Sequence, residues 1–153
     1  MPEIIIADTS CLIILNKIDQ LIILKKLYSK IHVTKEVSIE FSETLPDWIE
    51  ITEVSDLKYQ NFLATLVDLG EASSIALAVE KENVLILLDD LKARKLAKKL
   101  NLKFTGTLGI IHKAKQKGVV KKVKPLIDKL IKTNFRISAL VIDEFLKING
   151  ELN

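Results

Sequence analysis

"NVLILLDDLKARKLAKKLNLKFTG" (83–106) sets two apolar runs on either side of an amphipathic one. The first, "NVLILL" (83–88), is uninterrupted after Asn83, as expected of a strand buried on both faces. Two acids, Asp89 and Asp90, follow it directly. The segment 90–100 then places Leu91, Ala93, Leu96, Ala97 and Leu100 at helical spacing with Lys and Arg between them. "LKFTG" (102–106) reads as a second strand, ended by Gly106. A strand, a helix and a strand in succession is the unit from which parallel sheets are built.

The same alternation runs outward from this stretch. "EIIIA" (3–7) and "KIHVT" (30–34) are further buried strands, and "WIEIT" (48–52) alternates as an edge strand does. Helical patterns occupy 10–16, 19–28, 35–42, 57–69, 71–81, 107–117, 122–132 and 138–149. Gly118 ends the first of the last three, and the third opens at Ser138 and stops before Gly150. An α/β sandwich with a mostly parallel sheet is the expectation. Its 153 residues suit one domain spanning 1–153.

Composition narrows the class. The chain is 48% apolar and 28% charged, the balance of a folded, soluble protein. No apolar run is long enough to span a membrane. The N-terminus lacks a signal-peptide pattern, and Cys11 is the sole cysteine, so a cytoplasmic protein without disulfides is expected. Charge is distributed unevenly. Residues 91–124 hold eleven lysines and Arg94 with no acid, a charge of +12 against −9 for the remainder. Such a segment suits an anionic partner.

The acids carry the chemistry. In "EIIIADTSCLIIL" (3–15), Asp8 stands in an apolar run at the end of a strand, as Asp89 and Asp90 do after theirs. Ligands of open α/β sheets bind outside the carboxyl ends of strands where strand order reverses. Neighbouring strands at that point would bring the three acids together. Glu40 and Glu71 have suggestive settings, the latter in "LGEASSIALA" (69–78), where Gly70 can end one helix and Glu71 begin the next. Each acid also has a local explanation: Asp8, Ser10, Asp89 or Asp90 as helix N-cap, Glu71 as partner of a helix dipole, Glu40 as a solvated side chain. Gathered carboxylates repel one another, and a divalent cation relieves this. All-oxygen ligands suit Mg2+ or Mn2+. His32 and His112 have no partners at metal or triad spacing. "GTLG" (106–109) lacks the Lys-Ser/Thr ending of a phosphate loop.

In "IADTSCLIIL" (6–15), "VTKEVSIEF" (33–41), "LGEASSIALA" (69–78), "LILLDDLKARKLAKKLNLKFTGTLGIIHKAKQKG" (85–118) and "RISALVIDEFL" (136–146), the chain resembles the PIN-domain family, in particular a prokaryotic PIN-like branch. The resemblance implies a 5′-nuclease-like fold with sheet order 3-2-1-4-5. It implies catalytic acids at Asp8, Glu40, Glu71 and Asp90, and metal ligation by Asp8, Glu71, Asp89 and Asp90. Ser10 matches the small polar residue that helps hold metal-bound water. Glu71 stands where toxin-type members more usually carry Asp, and "LDD" (88–90) where they carry Thr-x-Asp. The implied activity is Mg2+- or Mn2+-dependent hydrolysis of RNA phosphodiesters, with Lys92, Arg94 and Lys95 as candidates to hold the phosphate backbone. Many members are toxins paired with an antitoxin, and many form homodimers. The rival reading is a PIN-like scaffold of little activity that binds RNA or protein.

Overall fold

The computed structural model describes Pro2 and residues 4–152; Glu3, assigned above to the first strand, lies outside the described residues. Five strands form one sheet in the order β3-β2-β1-β4-β5, and every pairing is parallel. They are β1 (Ile4–Ala7), β2 (Ile31–Val33), β3 (Ile49–Ile51), β4 (Val84–Leu87) and β5 (Lys103–Thr105). All five runs read as strands are strands, and the order matches the one the resemblance implied. Strands β1 and β4 are neighbours from Ile4↔Val84 to Ala7↔Leu87, at the point where the order reverses.

Alternating side chains divide the interior in two. Ile5, Ala7 and Leu87 pack with helices α1 (Thr9–Lys17), α2 (Ile22–Tyr28), α3 (Lys35–Phe41), α7 (Thr107–Gln116), α8 (Lys124–Ile131) and α9 (Ala139–Ile148). Ile6, Ile86 and Leu88 face the other way, onto α4 (Leu57–Leu63), α5 (Leu69–Glu80) and α6 (Leu91–Lys99). A sheet covered on both faces needs strands apolar on both faces, which is why β1 and β4 read as continuous apolar runs. Helix α6 turns Ala93 and Ala97 inward and its lysines outward. Helix α5 is buried from Gly70 to Ala78, and its small residues let it lie between neighbours.

Most helix ends lie within two residues of the sequence expectation, and two differ by more. The pattern at 19–28 begins as a helix only at Ile22, because Asp19 takes a left-handed φ of 57° and its N–H closes on Asn16 O. The pattern at 57–69 breaks after Leu63. Helix α5 then starts at Leu69 with Asp68 as N-cap, so Gly70 lies in the first turn of α5 rather than at the end of α4.

The chain's end is tied back to the fold. The Glu151 carboxylate accepts from Lys115 Nζ at 2.6 Å, Val123 N at 2.8 Å and Lys124 N at 3.0 Å. Val123 is the N-cap of α8 and offers no side-chain cap of its own, so Glu151 supplies one from a distance. Burial opposes ionisation of Glu151, but Lys115 and the two N–H groups outweigh it and hold the carboxyl below its ordinary range. A depressed carboxyl contributes stability that is present above its unfolded pKa and is lost as pH falls through the folded one. Glu151→Gln is therefore expected to cost about 2 kcal/mol at neutral pH. Melting curves at neutral pH and well below pH ~4 should show the gap between parent and variant closing as the parent carboxyl is protonated.

Candidate active site

Strand β1 ends at Ala7, and the chain turns straight into α1 with Asp8 in the N-cap position. Asp8 N donates to Leu87 O at 3.1 Å, which fixes Asp8 against the end of β4. Its side chain does not behave as a cap: the Thr9 N–H lies near it without reaching hydrogen-bond geometry, and the buried Oδ1 has no partner. At 2% exposure, this is a carboxylate oxygen taken out of water with nothing in exchange. Burial pushes its pKa up to about 8, the Thr9 N–H opposes this, and the charges of Glu71, Asp68 and Glu40 push the same way as burial.

Those three groups come from elements that the sheet brings beside β1. Asp68 and Glu71 form a reciprocal capping box at the start of α5: Glu71 N donates to Asp68 Oδ1 at 2.9 Å, and Asp68 N to Glu71 Oε1 at 3.2 Å. The dipole reading of Glu71 is thus realised, yet burial followed by the Asp68 charge pushes its pKa up to about 7. Glu40, on α3, lies over the first turn of α5. A Cβ on Gly70 would collide with its Oε1 and stand 3.2 Å from Thr9 Oγ1. Gly70 leaves room for the carboxylate of Glu40, an exposed side chain that a Cβ there would displace. Burial and then Asp68 raise the pKa of Glu40; the buried Thr9 hydroxyl opposes this without reaching hydrogen-bond geometry. Asp68 went unnoticed in the sequence, although "DLGE" (68–71) carries the acid-x-x-Glu spacing of a capping box.

The pair at the end of β4 divides by role. Asp90 is the N-cap of α6, with Oδ2 accepting from Ala93 N at 3.0 Å, and its charge helps raise Glu71. Asp89, expected among the metal ligands, is committed elsewhere. Its Oδ1 accepts from Thr107 N at 2.8 Å and its Oδ2 from Thr107 Oγ1 at 2.6 Å, while Arg94 Nη2 stands 3.9 Å away. The reason is topological: β4 and β5 are paired, so the end of β4 meets the N-terminus of α7, whose N-cap Gly106 has no side chain to offer.

The expected substrate contacts divide in the same way. Lys92 and Lys95 are exposed on α6, and Ser10 is exposed in the first turn of α1. Arg94, expected to hold phosphate, is drawn into the fold. Its Nε donates to Leu88 O at 2.7 Å, and its guanidinium lies 5.5 Å from the centroid of the Phe104 ring. Cys11 is fully buried beside Thr107, and burial pushes its thiol pKa up, as suits a core residue. His32 pairs with Thr52 and stands 4.0 Å from Glu50, and His112 pairs with Asn149.

Among the described residues, no group of three or more His, Cys, Asp or Glu is gathered closely enough to hold a metal ion as the side chains stand. The donor chemistry nevertheless fits a hard cation: the charges that act on Asp8 are all carboxylates, and Asp8 Oδ1 is an unpartnered buried acceptor. A family model described as a PIN domain matches residues 4–151. The chain belongs to the PIN-domain family. No curated protein and no solved structure matches it significantly. PIN domains are nuclease-type folds, and in this one the buried carboxylates stand at the carboxyl edge of β1 and β4. No helix among the described residues is long and apolar enough to cross a membrane.

Proposed function

We propose that this PIN domain is a Mg2+- or Mn2+-dependent ribonuclease. The observation that carries the reading is Asp8 Oδ1, buried without a partner and surrounded by the charges of Glu71, Asp68 and Glu40. Asp8, Glu40, Glu71 and Asp90 would hold the cation, with Asp68 beside them. When bound, the ion supplies a water of lowered pKa and neutralises charge growing on phosphate. The chain's part is to lose the protons that burial keeps on Asp8 and Glu71, and to leave the capping box with the Asp68 carboxylate alone. Ser10, exposed at the start of α1, can orient water by its hydroxyl. In hydrolysis, the water oxygen bonds to phosphorus, the bridging P–O bond breaks, and the leaving oxygen takes a proton.

The test is cleavage of unstructured RNA by the purified chain with Mn2+ and with EDTA. Cleavage that persists in EDTA, or its absence with either ion, overturns the reading. The second outcome favours the alternative, a weakly active RNA- or protein-binding module, for which the failure of three carboxylates to close on one point is the supporting observation. A toxin role, with an antitoxin as partner, is tested by growth arrest on induction that Asp8→Asn abolishes. Homodimerisation is tested by sedimentation.

RNA would be held by the basic segment. Lys92, Lys95 and Lys99 share one exposed face of α6, and none makes an ion pair with a described residue. Replacing all three by Glu is expected to flatten the dependence of log affinity on log salt by roughly 2, since each phosphate contact on a single strand contributes about 0.7. Titrations across salt concentrations check this, and an unchanged slope would place the RNA elsewhere. Arg94 is excluded from the set because its loss would disturb β4.

A further inference from the structure

We infer that the cavity beside the end of β5 is a nucleobase pocket, which takes the base of a nucleotide flanking the scissile phosphate in single-stranded RNA. This rests on the ribonuclease reading. The cavity has a volume of about 340 Å3, and its walls include Arg94, Phe104 from β5 and Phe135 from the connector between α8 and α9. That is the small end of the ligand-sized range, roughly 300–1,000 Å3. Phe104 and Phe135 are each only half-buried, so their rings are accessible. Phe135 is held in place by its N–H, which donates to Thr133 Oγ1 at 3.1 Å.

The wall chemistry selects a base over a phosphate. Two aromatic rings and a planar guanidinium already lying over one of them suit a flat π system. Asp89 also lines the cavity, so the Arg94 charge is balanced there and an anion gains little. The guanidinium spends one hydrogen bond on Leu88 O, and among the described residues its Nη groups make only the 3.9 Å ion pair with Asp89. They are therefore placed to meet the acceptor edge of a base.

The position also fits. β5 pairs with β4 and β4 with β1, so the cavity lies about two strand spacings, roughly 10 Å, along the carboxyl edge from Asp8. A neighbouring nucleotide can reach that far. The pocket also accounts for "GTLG" (106–109). A Cβ at Gly106 would collide with Arg94 Nη2, and one at Gly109 would collide with Thr105 Oγ1 in another wall of the cavity, so the two glycines let these walls approach.

The experiment is binding of fluorescent RNA hexamers in EDTA, intact or with one abasic nucleotide moved along the strand. The parent should lose about tenfold in affinity for one abasic position and little at the others, the scale of one lost stacking contact. Phe135→Leu, which removes the ring but keeps an apolar side chain, and Phe135→Ala should each bind intact RNA about tenfold more weakly and ignore the abasic site at that position. If Phe135→Ala fails to fold, Phe135→Leu alone decides. Equal losses at every position, variants that keep the positional preference, or no binding overturn the pocket. Mn2+-dependent cleavage by the parent, run in parallel, separates the two readings. Cleavage without a positional effect removes only the pocket, whereas a positional effect without cleavage removes only the nuclease.

Discussion

Asp8→Asn should abolish metal-dependent RNA cleavage and, near pH 8, raise the melting temperature of the metal-free protein. The first effect follows from loss of a ligand charge. The second follows from the proton balance of a buried acid. Folded Asp8 holds its proton up to about pH 8 and Glu71 up to about pH 7, while ordinary carboxyls ionise near 4. Between those limits the folded chain binds more protons than the unfolded one, so stability falls as pH rises. For Asp8 the ceiling on that loss is roughly 6 kcal/mol, at about 1.4 kcal/mol for each pK unit. Asn, isosteric with the protonated acid, does not titrate.

The variant should therefore match the parent below pH ~4 and melt higher near pH ~8, by roughly 10–20 °C for a chain of this size. Mn2+ should raise the parent's melting temperature more than the variant's, since a ligand of the folded state stabilises in proportion to its affinity. An Asp8 serving only as N-cap predicts the contrary. Asn caps about as well as Asp, so cleavage and the Mn2+ response would survive and melting would not shift with pH. Melting curves with EDTA and with Mn2+ at both pH values, beside a cleavage assay, distinguish the two.

Asp89→Ala should be the most destabilising of the substitutions at the strand ends. It removes the acceptor of Thr107 N–H and of the fully buried Thr107 hydroxyl, and it leaves Arg94 without its counter-charge. Charge-assisted bonds lost from a buried donor cost about 3 kcal/mol, or roughly 6–12 °C of melting temperature. Asp90→Asn should behave oppositely. The cap to Ala93 N is kept, so stability holds, while cleavage is lost with the ligand charge. Calorimetry and cleavage on both variants provide the check. An inactive but stable Asp89 variant beside an active Asp90 variant would reverse the assignment.

The adjacent aspartates show where reading along the chain stops. Both follow the same apolar run, and sequence alone treats them alike. They part only because α7, which starts eighteen residues after Asp89, brings Thr107 to one and not the other. Arg94 is a similar case: its place among lysines made it look like a phosphate contact, and the nearness of Phe104 and Leu88 O turned it inward. Gly70 looked like a helix stop because glycine often ends helices. Its role came from Glu40, a residue of another helix. Asp68 is a local case in part: its capping box lies within "DLGE" (68–71), but its charge bears on Asp8 only once α5 is packed beside β1.

What the sequence by itself determined is the periodic part of the protein. The five strands, most helix bodies, the two-faced burial of β1 and β4 and the siting of Asp8 at a strand end all follow from apolar spacing, which registers with the backbone over a few residues. Family membership, read from motifs in order, was legible as well. Only the tertiary structure decided which acid oxygens are spent and which is left over. A carboxylate's solvent, partners and neighbouring charges come from β4, α3 and α5 at once, far apart in the chain. Burial of Asp8 beside Glu71, Asp68 and Glu40 exists only when those elements are packed together.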